Sequence, residues 1–242
     1  MKMILYIFTI FSFVFSACDA TEQQSPGDVN LNFDLVVGDS DLSFESTKYI
    51  NAAANEFTIN SFWMYLSNIS FQGVNGTQDY TLEPNYYLIE QNISTEKLAI
   101  MLKVIPAGDY AKITFSIGID EPTNTDISAV KGDLDPARAW NWNSGYKFVS
   151  LEGNYRADDQ TSRGLIMHIG LNQNYKTLTY NFKQALNVNN NKSEVDFAVD
   201  ILKMFEGQHT IDFSITNTIK AQPVESGEVA DNYAAAMIQL MD

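Results

Sequence analysis

The sequence has 242 residues, of which 45% are hydrophobic and 12% aromatic, and this composition excludes a mainly disordered chain. Asp and Glu number 30 against 15 Lys and Arg, so the formal net charge is −15. Such a charge disfavours nucleic acid and anionic membrane surfaces as partners. The single cysteine excludes a disulfide framework.

The first residues predict export. Lys2 precedes an apolar run, Ile4 to Phe15, that has the length of a signal peptide and is too short to span a membrane comfortably. Small residues then precede Cys18, as in a lipobox. We therefore expect a lipoprotein signal peptide over 1–17, a lipidated Cys18 and a flexible tether over 18–28. The alternative is an ordinary secretory signal with a chance cysteine.

This interpretation places the protein in the bacterial cell envelope, at the periplasmic or outer-membrane face, and limits its membrane contact to the lipid anchor. Residues 29–242 are enough for one substantial core, and they predict a single domain.

Segments rich in β-forming residues recur along this domain, with turns about every dozen residues. They are Val29–Val37, Thr58–Phe71, Tyr80–Ile89, Leu98–Val104, Tyr110–Ile119, Tyr146–Leu151, Gly164–Leu171, Thr177–Phe182, Val195–Leu202 and His209–Ile215. The tail from Glu228 to Leu240 has helix-forming composition. We predict a mainly β fold: an antiparallel β-sandwich with a long ordered loop and a short C-terminal helix.

The long loop is the segment 120–138, DEPTNTDISAVKGDLDPAR. Long ordered loops are more often functional than structural. Its carboxylates Asp120, Asp133 and Asp135 offer the oxygen ligands that calcium prefers. They lack EF-hand spacing, so a solvated acidic loop is the alternative.

The segment Ala139–Gly153, AWNWNSGYKFVSLEG, is the least ordinary stretch of the chain. Trp140 and Trp142 stand two residues apart, and on a strand two such residues share one face. A turn signal follows, then a strand. The pair either anchors a sandwich core or lines a ligand or metal site, and periodicity does not decide between these alternatives.

The chain has two histidines. His168 lies in an apolar strand, where a hydrogen-bonded core residue and a metal ligand are both consistent with the pattern. His209 stands at the start of a predicted strand and is expected to be exposed. No G-x-S-x-G, HExxH or P-loop pattern occurs, and a Ser/His/Asp triad has little support, so we predict that the protein is not an enzyme.

Six segments in a fixed order carry a resemblance to a known family. They are FWMYLSNISF at 62–71, PAGDY at 106–110, IGID at 117–120, LDP at 134–136, the Trp segment, and MHIG at 167–170. This set resembles the MbnP-like family of exported copper-binding proteins, which are associated with methanobactin operons and with bacterial copper handling. The resemblance covers most of the mature chain.

The resemblance implies a copper site of histidine nitrogen near a tryptophan oxidised to kynurenine, with a diheme peroxidase-like partner as the oxidant. On this sequence it makes His168 the best copper ligand and Trp140 or Trp142 the residue to be modified. His209, the other histidine, is a second metal candidate, although its region aligns with no ligand of the family. Met64 and Met167 are candidate soft neighbours, although Met167 and His168 are adjacent on a strand and point to opposite faces.

The sequence departs from a typical copper site because it supplies only two histidines. A surface lipoprotein that binds a glycan or another protein through exposed aromatic side chains, without metal, is therefore the alternative function.

Overall fold

The structure is a computed structural model that describes residues 25–44, 46–128, 131–141 and 144–241. The predicted signal peptide, Cys18 and Trp142 lie outside these ranges. No helix within the described ranges is long and apolar enough to cross a membrane.

Sixteen strands and two α-helices make up the described fold. The strands are β1 Gly27–Val37, β2 Ser40–Asp41, β3 Tyr49–Ile50, β4 Glu56–Val74, β5 Tyr80–Thr81, β6 Tyr86–Asn92, β7 Glu96–Lys97, β8 Ala99–Ile105, β9 Gly108–Ile117, β10 Ala139–Asn141, β11 Gly145–Arg156, β12 Ser162–Gly170, β13 Lys176–Val188, β14 Lys192–Asp200, β15 Thr218–Ile219 and β16 Ile238–Met241. The helices are α1 Glu121–Asn124 and α2 Pro223–Ala236, and 3₁₀ turns cover Pro136–Arg138, Asn172–Asn174 and Ile201–Met204.

The strands form two sheets, which confirms the predicted β-rich sandwich. The small sheet has the order β16-β14-β1-β2, and β8 also pairs with β1. The large sheet has the order β13-β9-β4-β11-β12-β15; in addition, β3, β5 and β6 pair with β4, β7 pairs with β6, and β10 pairs with β11. The sandwich is not wholly antiparallel, since β1 pairs with β14, and β12 with β15, in parallel. A parallel pair needs a long crossover, and the large sheet supplies it between β1 and β14.

One hydrophobic core lies between the sheets. Phe33 of β1 stacks on Phe197 of β14 with ring centroids 5.3 Å apart, and Phe115 of the large sheet meets Phe197 edge-on at 5.4 Å. Met64 and Met167 belong to this core and are fully buried. Both methionines therefore lie on the inner face of the large sheet.

A second cluster of buried side chains covers the opposite, outer face of the large sheet. It comprises Trp63, Tyr65, Tyr86, Leu88, Ile119, Ile127, Leu134, Tyr146 and Phe148. Ile127 and Leu134 belong to the segment between β9 and β10, which contains the predicted long loop, so the described parts of this segment, 118–128 and 131–138, pack onto the sheet. We call these two parts the strap.

The predicted strand Tyr80–Ile89 is two strands, β5 and β6, and two further predicted elements, towards the C-terminus, differ from the structure. The segment His209–Ile215 is not a strand, although Ile211 and Phe213 are buried as a strand pattern requires. Hydrogen bonds to side chains take the place of strand-to-strand backbone hydrogen bonds there. Asn51 Nδ2 donates to the Ile211 carbonyl at 2.9 Å, and the Phe213 N–H donates to Asn55 Oδ1 at 2.8 Å.

The C-terminal helix is confirmed with shifted bounds. It begins at Pro223 rather than Glu228, because proline suits the first turn of a helix. It ends at Ala236, and the following residues of the predicted helix form β16, which pairs with the edge of β14.

Candidate functional site

His168 lies on the outer face of the large sheet. Its neighbour Met167 points into the core, and alternation along β12 turns His168 to the other side, as the sequence predicts. His168 pairs with Ser150 on β11, and Ser150 pairs with Trp63 on β4. These three side chains form one row across three strands, and His168 is 8% exposed.

A carboxylate holds the His168 ring. His168 Nε2 is 2.8 Å from Glu152 Oε1, and the Glu152 side chain is 52% exposed. Burial lowers the pKa of His168 and outweighs the opposing effect of Glu152, while Lys147 and Lys220 lower the pKa further. The imidazole is therefore neutral at physiological pH, which is the form that binds metal.

Trp140 packs on β12 at Gly170. A Cβ built on Gly170 would come within 2.7 Å of Trp140 Cζ3, so the indole rests directly on the Gly170 backbone. Gly170 stands two residues after His168 on β12, on the same face. Within the described ranges, Trp140 Nε1 is buried and has no hydrogen-bond partner. Such unsatisfied donors are rare and call for a functional explanation.

Trp63 is a third aromatic side chain at the site, after His168 and Trp140, and it is not among the site residues predicted from the sequence. The guanidinium carbon of Arg138 lies 4.6 Å from the centroid of its ring. Arg138 Nη2 donates to both oxygens of Glu90, at 3.0 and 2.9 Å. The sequence carries one signal for Trp63: side chains alternate between the two faces of β4, so Trp63 and Tyr65 face away from the core residues beside them.

The acidic residues of the strap fasten it to the sheet. Tyr86 donates its hydroxyl proton to Asp120. Asp133 accepts from the Leu88 N–H at 2.9 Å and pairs with Lys97 at 2.6 Å. Asp135 accepts from the Ala137 N–H at the start of a 3₁₀ turn, at 2.9 Å.

The structure therefore gives no support to the predicted calcium loop of Asp120, Asp133 and Asp135, because protein donors engage these carboxylates. The described residues contain no group of three histidine, cysteine, aspartate or glutamate side chains that could hold a metal ion.

His209 lies elsewhere, against helix α2. Its backbone N–H donates to Asn232 Oδ1 at 2.8 Å, and its Nε2 is 3.7 Å from Asp231 Oδ2. The two histidines thus contact different carboxylates on different elements. Trp140 packs at Gly170, two residues from His168 on β12, whereas His209 borders a helix surface.

A model of the MbnP family matches residues 26–224 of the chain. The chain belongs to the MbnP family. Among solved structures, MbnP from Methylosinus trichosporium matches with a TM-score of 0.51 and 13% identity, over 88% of this chain and 97% of that chain. At this identity the likeness supports the fold alone. No curated protein matches the chain. MbnP-family membership supports a copper-related role of the kind associated with methanobactin.

Of the donors that suit copper without modification, the described outer face supplies one imidazole at this site. Copper suits imidazole nitrogen, and His168 supplies it. Met64 and Met167, the candidate thioether donors, lie on the inner face of the sheet and are separated from His168 by it. Further polar groups at the site are the Glu152 carboxylate, which contacts His168, and the buried indole N–H of Trp140.

Proposed function

We propose that this MbnP-family member is an exported, lipid-anchored protein that binds copper in the bacterial cell envelope. It captures or transfers the metal and catalyses no reaction, and it contacts the membrane only through the lipid on Cys18. The observation that carries the proposal is the packing of Trp140 on Gly170, two residues from His168 on the same face of β12, together with a neutral imidazole and a buried indole N–H that lacks an acceptor.

The proposal includes the oxidation of Trp140 or Trp142 to kynurenine by a diheme peroxidase-like partner. An indole nitrogen is a poor ligand because its lone pair belongs to the aromatic system. Kynurenine carries an amine and a ketone that indole lacks, and copper suits nitrogen donors. The unpartnered Nε1 of Trp140 supports this step, because opening the ring replaces a buried donor that has no acceptor by groups that bind a metal.

A titration of the mature domain, purified from its native host, with Cu(I) and Cu(II) tests the site. His168→Ala should lower the copper affinity at least tenfold. His209→Ala is the matched control, because it removes the other imidazole from a different element, and it should leave the affinity within about twofold. Unchanged affinity in His168→Ala, with the fold intact by circular dichroism, would make His168 a core residue and refute the assignment.

The mass of the peptide that carries Trp140 and Trp142 tests the modification. Kynurenine in place of tryptophan means one carbon lost and one oxygen gained. Intact indoles in protein from the native host would contradict the modification and would favour the metal-free binding module. Two observations favour that module less: Trp140 is half-buried, and His168 contacts an exposed carboxylate.

A further inference from the structure

We propose that Glu152 is a positioning residue that fixes the tautomer of His168 and makes Nδ1 the copper-binding nitrogen. This inference rests on the proposed function and names the atom through which the site works. It starts from one contact, the 2.8 Å distance between His168 Nε2 and Glu152 Oε1.

The chemistry of the two groups determines the direction of the hydrogen bond. An ionised carboxylate only accepts hydrogen bonds, so the nitrogen that faces it must carry the proton. A neutral imidazole has one protonated nitrogen, and Nδ1 is then left with a free lone pair. Metal binding requires the neutral ring, and the contact with Glu152 then places its single proton at Nε2.

The sheet holds this pair in register. Ser150 on β11 stands opposite His168 on β12, and Glu152 is two residues further along β11 on the same face. Strand β11 pairs with β12 on one side and with β4 on the other, so its backbone is fixed on both edges. Glu152 therefore reaches His168 diagonally from a rigid position, and its carboxylate sets the ring orientation as well as the tautomer.

A carboxylate behind a histidine is a recurring arrangement at metal sites. The hydrogen bond that the ring N–H donates to the carboxylate orients the ring and increases the basicity of the ligating nitrogen. Loss of such a partner typically lowers metal affinity about 10- to 100-fold. Glu152 contributes this effect without contacting copper itself, which distinguishes it from a ligand.

Long-range ¹H–¹⁵N spectra of the metal-free protein at pH 8 read the tautomer directly. We expect the wild type to show His168 protonated at Nε2 and unprotonated at Nδ1. Glu152→Ala should mix the two tautomers, whereas Glu83→Gln, a change at an exposed glutamate elsewhere, should leave the His168 signals unchanged. A wild-type His168 protonated at Nδ1 would overturn the inference.

Copper affinity supplies the second measurement. Glu152→Ala should weaken binding about 10- to 100-fold, and Glu152→Gln, which keeps an acceptor of the same shape but loses the charge, should weaken it less. If His168→Ala abolishes binding and Glu152→Ala has no effect, the positioning role fails while the site stands. If His168→Ala has no effect, the proposed copper site fails, although the tautomer measurement still decides what Glu152 does to the ring.

Discussion

Gly170 is the position at which one methyl group should separate Trp140 from the sheet. A Cβ added there would lie 2.5 Å from the Tyr146 carbonyl oxygen and 2.7 Å from Trp140 Cζ3. Ordinary van der Waals contacts of a Cβ begin near 3.4 Å, so the overlap with the oxygen is about 0.9 Å. The oxygen belongs to the β11 backbone and cannot swing away, so Gly170→Ala must shift the β10–β11 hairpin and the indole together.

Overpacking of this kind costs about 1 to 3 kcal/mol in the free energy of unfolding. Urea denaturation measures the cost, and the Trp140 indole resonance in a ¹H–¹⁵N spectrum reports the displaced ring. Gly164→Ala is the matched control on the same strand, because a Cβ there meets nothing within 4 Å. Gly164→Ala should change the free energy of unfolding by no more than about 0.5 kcal/mol. If both variants have the same stability and the indole resonance stays in place, the packing of Trp140 on Gly170 is refuted.

Three further predictions concern the supports of the site and the sandwich. Arg138→Met and Glu90→Gln should show a coupling of about 1 to 2 kcal/mol in a double-mutant cycle, because the ion pair is only 21% and 15% exposed. Lys192 and two asparagine amides lower the pKa of Glu194 to about 2, so the stability it adds should be present above pH 4.5 and lost as the pH falls towards 2, which Glu194→Gln tests in acid denaturation. Asn232→Ala should destabilise the protein by about 2 kcal/mol and expose the segment it holds to hydrogen exchange, because this side chain is 1% exposed and bonds to three backbone groups.

Each of these predictions has a comparison that would contradict it. Arg163 and Asp159 form an exposed pair, 53% on each side, and should couple by about 0 to 1 kcal/mol, so equal coupling of the two pairs would deny the role of burial. For Glu194, parallel pH curves of the wild type and the variant between pH 5 and pH 3 would refute the depressed pKa. For Asn232, unchanged exchange around His209 would mean that the segment is held by its apolar side chains alone.

Alternation along strands allowed one part of the site to be predicted from the sequence. The period of two separates Met167 from His168, and it separates Trp63 from Met64, and the structure has these faces as predicted. The histidine therefore had to face away from the methionines once β12 was recognised as a strand. Such an inference needs only local geometry.

The contacts that define the site depend on register, which the sequence pattern leaves open. His168 reaches Glu152 because β11 and β12 pair Ser150 with His168, and a slip of one residue would turn Glu152 to the other face. The same holds for Trp140, whose contact with Gly170 depends on how the hairpin folds back. The sequence likewise predicts a strand over His209–Ile215, but a side-chain amide bonds to the backbone of Ile211 in place of a neighbouring strand. No local sequence pattern predicts such a side-chain hydrogen bond.

The face on which the site lies constrains its chemistry. Thioethers favour Cu(I), whereas imidazole nitrogen and carboxylate oxygen do not require the reduced ion. Met64 and Met167 are fully buried in the core on the far side of the sheet, so the outer face presents an imidazole, a carboxylate that orients it, and a tryptophan whose N–H lacks an acceptor. Among the described residues of this face, the proposed ligand that needs no modification is one imidazole, so under this proposal the copper affinity depends on the state of the tryptophan. An unmodified chain should therefore bind copper weakly even with His168 and Glu152 intact, and the gain on oxidation measures what the indole position contributes.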